Sequence, residues 1–443
     1  MQLEWSLQQT SIKQKHILTG EAVARNENTT KNGFVVAIFG LVMMPFLGII
    51  ITEQPNIAEN LYVIYLIYLF NTASTYFFSY RSALLTAAQR NYIVLGVNYA
   101  VTILQSLIQI PILIFNHNYM LYLLIQTIGV FCNNVVVSWW AKKEFPYITK
   151  KNVQSLSTYE KKELFVNIKA LTLNKLSTSL VNNTDNIVLT YFSGLVSVGV
   201  TSNYVMLVST LSSLTSQLFN SLTASVGNLN AIENEKKKYR FFKVLNLSNF
   251  WIFGWGAIGI IFVSGDIVKL CFGEKYILDM SIPFILALNF YIVGMQNAVY
   301  TYKNTMGLFR YGQYILLITA SINLVLDIIL GKTMGIFGIY LASAIARLLT
   351  NIWYEPYAVF KYGLKVSSFH YLKKYIEYAI VLCVTGGICC FLCNLCQFYI
   401  VVNVLLKFAI CSIVPNIIFY VCYHKTDEGK YLIEIIKSVL RKI

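Results

Sequence analysis

The chain has 443 residues, of which 56% are apolar and only 12% are charged. Soluble domains carry about 25% charged residues, so this chain has too little polar surface to cover a water-soluble globule, and a soluble enzyme is excluded. The formal net charge is +15, and the positions of the basic residues predict how the chain lies in a membrane.

Twelve apolar segments follow one another along the chain. A helix needs about 20 mostly apolar residues to cross a bilayer, whereas the strands of a porin-like barrel alternate over about ten residues. The pattern therefore predicts an all-α polytopic membrane protein with about 12 transmembrane helices. In chain order the segments are Phe34–Thr52, Leu61–Tyr80, Tyr92–Phe115, Tyr119–Ala141, Ile168–Phe192, Val196–Leu218, Val244–Val263, Ile282–Tyr302, Gln313–Leu330, Ile336–Phe360, Tyr375–Leu395 and Phe398–Tyr423.

Basic residues divide unequally between the two sides of the membrane. With the N-terminal segment in the cytoplasm, 29 of the 35 Lys and Arg residues lie on the cytoplasmic side, and only Lys269, Lys275 and Lys332 lie in outside loops. The positive-inside rule produces such an asymmetry. We therefore predict a multi-pass protein of the inner (cytoplasmic) membrane with both termini cytoplasmic. Basic runs such as 236–238 follow from the same rule, so no nucleic-acid partner is predicted.

The spacing of the segments divides the chain into groups of four, six and two. The last segment is followed by an amphipathic tail, which is expected either to lie along the inner membrane surface or to pack against the cytoplasmic loops. The predicted organisation is a polar cytoplasmic segment (1–33), a partial first bundle of four helices (34–141), a cytoplasmic linker (142–167), a second bundle of six helices (168–360), two additional helices (361–423) and the cytoplasmic amphipathic tail (424–443).

Polar and ionisable residues inside the spans are the candidates for function, because a charge in lipid costs at least about 2.5 kcal/mol. An Asp327–Arg347 ion pair between the ninth and tenth spans is the structural alternative to a cavity role. Arg81, at the inner end of its span, is equally consistent with a topology anchor, and a lone Lys407 can extend to the interface. The candidate substrate-cavity residues are Arg81, Lys175, Asn182, Asn183, Asp185, Asp327 and Arg347.

Motifs of soluble catalysis and of metal binding do not explain this chain. The four histidines lie in loops and tails, and no nucleotide-binding Gly-rich Lys loop or Gly-x-Ser-x-Gly occurs in the sequence. Cys389, Cys393 and Cys396 share one helix face, which favours packing as small apolar side chains over cluster ligation. We predict no catalytic residue, no metal and no cofactor. Transport by this chain then depends on an ion gradient, a substrate gradient or a partner.

Two sequence motifs resemble those of a known family. The segment Arg81–Ile93 (RSALLTAAQRNYI), directly after a span, is similar to the first inside-loop motif of bacterial polysaccharide flippases. The segments Asp185–Leu189 (DNIVL), Gly194–Gly199 (GLVSVG) and Ser202–Tyr204 (SNY) resemble their central hairpin. The resemblance is to Wzx-type flippases for O-antigen and teichoic-acid repeat units, in the multidrug/oligosaccharidyl-lipid/polysaccharide exporter superfamily.

This resemblance implies two six-helix bundles facing a central cavity, often followed by two extra helices. It implies that undecaprenyl-pyrophosphate-linked oligosaccharide moves from the cytoplasmic to the outer leaflet by alternating access, for surface polysaccharides such as lipopolysaccharide O-antigen. A glycan polymerase of the same pathway is a possible partner. On this reading Lys175, Arg347 and Arg81 contact the pyrophosphate. The first two helices of the first bundle are expected to be missing, through an internal start or a truncated gene; the alternative is a native chain with a divergent start.

Two other functions remain as alternatives. A cation-coupled small-molecule exporter of the same superfamily would carry carboxylates in its first bundle, and the four spans within 34–141 contain none. A membrane-embedded glycan polymerase or ligase would need a sizeable outside loop with catalytic groups. The longest outside loop, Ser264–Ser281, contains neither His nor Arg. Both alternatives are therefore weaker than the flippase.

Overall fold

The computed structural model describes residues 33–51, 59–87, 90–146, 158–308, 311–312, 314–396 and 399–440, without the side chains of 158–182 and of a few other positions. The regular elements of these residues are helices. They are α1 (Gly33–Ile49), α2 (Leu61–Ala87), α3 (Asn91–Pro111), α4 (Tyr119–Glu144), α5 (Thr158–Ile232), α6 (Glu235–Phe272), α7 (Ser281–Met295), α8 (Asn297–Thr305), α9 (Ile315–Leu349), α10 (Asn351–Ala358), α11 (Phe369–Asn394), α12 (Ile400–Tyr423) and α13 (Asp427–Leu440).

Two of the long helices are broken at a glycine. Gly194 in α5 has φ 77° and ψ 164°, and Gly335 in α9 has φ 57° and ψ −134°, conformations that side-chain-bearing residues rarely adopt. At the second break the chain folds back on itself. A Cβ added to Gly338 would lie only 2.2 Å from the Leu330 carbonyl oxygen. In an unbroken helix these two residues would be about 12 Å apart. Each glycine thus separates two helices.

The predicted membrane class is confirmed. Among the described residues, nine helical segments are long and apolar enough to cross a membrane. Two of them, Asn183–Phe219 and Ile315–Leu364, contain the glycine breaks, and Gly33–Ile49 is a further, shorter apolar helix. These segments correspond to the twelve apolar stretches of the sequence. The chain is an all-α polytopic membrane protein with about a dozen spans.

The chain divides into two compact units, with the boundary between Ile168 and Lys169. In unit 1, α2 packs against α4 and α4 against α3. In unit 2, α6 packs against α7 and α12. An aromatic core holds these helices, since Phe250 stacks on Tyr378 at 4.4 Å and lies 4.6 Å from Phe419 between ring centroids. Large aromatic side chains stabilise a helix bundle through both buried area and ring geometry.

The amphipathic tail packs against the start of α6. Lys243 pairs with Glu428 at 2.8 Å, and Arg240 lies over the Tyr431 ring at 5.3 Å. Leu432 of α13 contacts the apolar core of unit 2. The apolar stripe of the tail is therefore turned at least in part toward protein, which favours the second of the two arrangements expected from the sequence.

Candidate functional site

Two helices of unit 2, α5 and the broken helix α9, bring buried polar side chains together. Asp185 lies in the first half of α5 and is 8% exposed, while Asp327 lies in the first half of α9 and is fully buried. Ser343, in α9 beyond the Gly335 break, donates its hydroxyl hydrogen to Asp185 Oδ2 at 2.8 Å. The Gly335 break is needed at this site, because it allows Asp327 in the first half of α9 and Ser343 in the second half to lie beside Asp185.

The side-chain amide of Asn323 links Asp327 to Ser343, which in turn donates to Asp185. Its Nδ2 donates to Asp327 Oδ1 at 2.9 Å and approaches Ser343 Oγ at 3.3 Å. Asn323 and Asp327 are four residues apart, so they lie on the same face of the helix. Because Ser343 Oγ also donates to Asp185 Oδ2, these hydrogen bonds hold the Asp185 and Asp327 carboxylates around the same two neutral side chains. We call the group Asp185, Asn323, Asp327 and Ser343 the carboxylate cluster.

Three oxygen atoms of this cluster have unused acceptor capacity. Asp185 Oδ1, Asp327 Oδ2 and Asn323 Oδ1 are buried and accept no hydrogen bond from any described residue. Buried polar atoms are almost always paired, so each exception needs a physical explanation. Two neighbouring carboxylates also need a proton or a cation between them, because adjacent like charges repel strongly in a poorly polarisable interior.

The donor set fits a small hard cation. Carboxylate, amide and hydroxyl oxygens are the ligands that such ions prefer, and cysteine or histidine ligands are characteristic of softer metals. Among the described residues, no group of three or more His, Cys, Asp and Glu side chains is arranged to hold a metal ion. The positive charge of Arg347 beside the two carboxylates leaves one net negative charge, which a monovalent cation or a shared proton balances.

A fixed positive charge lies beside the carboxylate cluster. Arg347 follows Ser343 by one helical turn and acts electrostatically on both Asp185 and Asp327. Its Nη1 donates to Asn289 Oδ1 at 2.9 Å. Asn289 is held in turn, because its Nδ2 donates to the Tyr340 carbonyl oxygen at 2.8 Å. The sequence suggested an Asp327–Arg347 ion pair; in the structure Asp327 lies with Asp185, and Arg347 engages Asn289.

The remaining predicted site residues are placed differently. Arg81 belongs to unit 1, where it donates a hydrogen bond to Ser138 Oγ. Asn183 lies on α5 with its side chain exposed, two residues before Asp185. Lys175 and Asn182 also lie on α5, but their side chains fall outside the described part of the chain. The structure therefore brings together Asp185, Asp327 and Arg347.

Unit 1 contains a polar seam of its own, formed mainly by uncharged side chains. Asn71 Nδ2 donates to Thr127 Oγ1 at 3.1 Å, which joins α2 to α4. Gln109 Nε2 donates to the Tyr122 carbonyl oxygen at 3.1 Å, which joins α3 to α4. Arg81 lies at the same α2–α4 contact. Amide and hydroxyl groups of this kind can hydrogen-bond sugars as readily as they bond to each other.

Two other charges near or within spans of unit 2 are paired with a carboxylate. Lys407 of α12 binds Asp266 of α6 at 2.5 Å, and Lys303 of α8 binds Glu355 of α10 at 2.6 Å. Both pairs join neighbouring helices, which gives them a structural role. The first pair also accounts for Lys407, which the sequence offered only as a residue extending to the interface.

An apolar groove runs along unit 2 between α6, α7 and α11. Its volume is about 540 Å³, and it is lined by residues such as Ala257, Phe284, Leu382 and Gly386. Gly386 lacks a side chain that would fill this space, and a Cβ added there would meet nothing within 4 Å. A hydrocarbon chain matches these walls, since they offer almost no hydrogen-bonding group.

The fold and the carboxylate cluster define a multi-pass helical membrane protein with an ion-compatible polar site inside one unit. Its fold is similar to that of a solved structure described as "Lipid II flippase MurJ, inward closed conformation", with a TM-score of 0.57 and 14% sequence identity. The match covers 93% of this chain and 90% of that chain. No protein-family profile matches the sequence, and neither does any curated protein.

Proposed function

We propose that this protein moves lipid-linked glycans across the cytoplasmic membrane, with a polyprenyl diphosphate carrier as the lipid. The observation that carries the proposal is the flippase fold over nearly the whole chain, combined with a buried polar cluster inside apolar spans. Intramembrane carboxylates are costly and mark ion or substrate pathways. The more specific proposal is that the cargo is a repeat unit of a surface polysaccharide, as the two sequence motifs indicate.

The physical task explains why such a site is needed. A glycan headgroup carries many hydroxyl groups and a charged diphosphate, and it must cross about 30 Å of hydrocarbon. Each polar group that loses its hydrogen bonds on the way costs several kcal/mol. A flippase supplies replacement polar groups while the prenyl tail stays in lipid or in an apolar groove. In this chain the groove between α6, α7 and α11 has the apolar walls that such a tail requires.

The carboxylate cluster is the site through which an ion gradient would drive glycan transport. We propose that Asp185 and Asp327 bind a monovalent cation, with Asn323 and Ser343 completing the oxygen ligands. The cation would be released on the other side of the membrane as the conformation changes. One charge moved through a membrane potential of 100 mV supplies about 2.3 kcal/mol. That is enough to bias the direction of glycan movement by more than tenfold.

A reconstituted system tests the function. Purified protein is inserted into vesicles that contain a polyprenyl-diphosphate-linked repeat unit, and an external lectin or glycosidase reports how much glycan reaches the outer surface. We expect accessibility to rise only in vesicles containing the protein. Vesicles containing lipid II instead test the cargo of the structural neighbour. Transport of lipid II alone would overturn the repeat-unit specificity, and transport of neither lipid would overturn the flippase proposal.

A further inference from the structure

The position of Arg347 beside the carboxylate cluster indicates a role other than binding a diphosphate. It lies four residues after Ser343, so both side chains project from one face of α9, and Ser343 contacts Asp185 directly. The guanidinium interacts electrostatically with both Asp185 and Asp327. It cannot lose its proton in a protein and therefore always carries a positive charge. A permanent cation next to a candidate cation site competes with whatever ion enters that site.

Asn289 offers Arg347 an uncharged partner at the edge of the carboxylate cluster. The Arg347 Nη1 to Asn289 Oδ1 distance is 2.9 Å. Asn289 is fixed in position by its own hydrogen bonds to the carbonyl oxygens of Ile285 and Tyr340. Meanwhile Asp185 Oδ1 and Asp327 Oδ2 accept no hydrogen bond from any described residue. The geometry with Arg347 on Asn289 thus keeps the oxygen atoms of the cluster available to an ion.

We propose that Arg347 is a tethered counter-ion that alternates between Asn289 and the Asp185–Asp327 carboxylates. With a cation in the cluster, Arg347 keeps its hydrogen bond to Asn289. When the cation leaves, the guanidinium turns toward the carboxylates and offsets one of their two negative charges. The inference rests on the proposed cation-coupled function and assigns a role within it to one residue.

The physical reason is the cost of an empty site. A buried pair of carboxylates without a counter-charge is strongly destabilised, so an empty carrier would be trapped in the conformation that hydrates the site best. A guanidinium carried on the protein lowers that cost, because it offsets one of the two negative charges and its planar fork of five donors can hydrogen-bond both carboxylates at once. The empty carrier can then change conformation. Arg347 in this role binds no glycan.

Two replacements separate a moving counter-ion from a static positive charge. Removing Arg347 strengthens cation binding in both cases, because a guanidinium beside the site repels the ion. Replacing Asn289 weakens cation binding only if Arg347 moves, because the guanidinium then loses an uncharged partner that competes with the carboxylates. An unchanged Kd in Asn289→Leu would therefore contradict the alternation.

Sodium binding to the purified protein in detergent or nanodiscs, without any glycan, is the decisive experiment. Radiolabelled sodium is titrated into the wild type, Arg347→Gln, Arg347→Lys and Asn289→Leu, with size-exclusion profiles as the check on folding. We expect Arg347→Gln to lower the sodium Kd at least tenfold, Arg347→Lys to stay within about threefold of the wild type, and Asn289→Leu to raise the Kd at least tenfold. Stronger binding by Arg347→Gln also supports the proposal where wild-type binding is too weak to measure.

An unchanged or higher Kd in folded Arg347→Gln overturns the proposal, and so does the absence of sodium binding in both the wild type and this variant. Glycan flipping is measured separately in vesicles. Sodium binding that responds to Arg347 in a protein that flips no glycan would overturn the proposed function and leave the counter-ion intact. Flipping without the expected response of sodium binding would do the reverse.

Discussion

The Ser343 hydroxyl donates to Asp185 Oδ2 at 2.8 Å, and the two residues are 158 positions apart in the chain. This hydrogen bond joins α5 to the second half of α9, while Asp327 reaches the same place from the first half. The site therefore depends on the Gly335 break, which turns the chain back between the two halves of α9. Each element around it makes a separate, measurable contribution.

Neutralising either carboxylate should abolish ion binding without unfolding the protein. Asp185→Asn and Asp327→Asn keep the side-chain shape and remove the repulsion between two buried charges. We expect thermal stability without sodium to be unchanged or higher, and stabilisation by sodium to disappear. Wild-type stability should rise by about 2.7 kcal/mol when sodium reaches 100 times its Kd. Glycan transport by either variant should fall at least tenfold.

Asp266→Asn is the matched control for these variants. Asp266 is also a largely buried carboxylate, but it pairs with Lys407 at 2.5 Å and with no residue of the carboxylate cluster. This change should lower stability because it leaves Lys407 without its partner, and it should keep the response to sodium. Loss of the sodium response in Asp266→Asn would contradict the assignment of the ion site.

The glycine breaks should tolerate no side chain. Gly194 has φ 77° and ψ 164°, a region that is essentially restricted to glycine, so Gly194→Ala should cost about 1–3 kcal/mol. Gly199 lies five residues further along α5, is exposed, and has open space where a Cβ would be added. Gly199→Ala should therefore be neutral or stabilising by up to about 1 kcal/mol. Thermal unfolding in detergent measures both, and equal effects would argue against a break at Gly194.

Breaking the buried Lys303–Glu355 pair should destabilise unit 2. The two side chains are 11% and 1% exposed and lie 2.6 Å apart, so Glu355→Gln leaves an ammonium group buried without its counter-charge. We expect a loss of about 3 kcal/mol. The double replacement Lys303→Met and Glu355→Gln should recover most of this loss. Chemical denaturation of Glu355→Gln, Lys303→Met and the double variant gives the coupling energy, and purely additive losses would show that the pair is not coupled.

Chemical labelling tests the orientation that the basic residues predict. In a version without the nine native cysteines, a single cysteine replaces either Lys275 or Ser367, both of which are exposed. A membrane-impermeant maleimide should label Lys275→Cys on intact cells and Ser367→Cys only after the membrane is opened. The opposite pattern would reverse the predicted topology and place both termini outside.

The spans could be recognised from the sequence because membrane insertion depends on a local property. Every backbone polar group of a span must be satisfied within its own helix, so about 20 apolar residues in succession predict a span whatever surrounds them. The turns at Gly194 and Gly335 were also visible as short interruptions between apolar stretches. Asp185, Asp327 and Arg347 stood out as candidates for the same reason, since charges are rare in such stretches.

Only the tertiary structure decided which of these side chains meet. Asn323 and Ser343 were not singled out, although they precede Asp327 and Arg347 by four residues on the same helix faces. Nothing in the sequence marked Asn289 as a site residue, because its role comes from contact with Arg347, which is 58 positions away. Hydropathy indicates that a charge inside a span needs a partner, and only helix packing determines which one. For Asp327 the sequence offered Arg347 as one possible partner, and the packing of α5 against α9 also places Asp185 beside it.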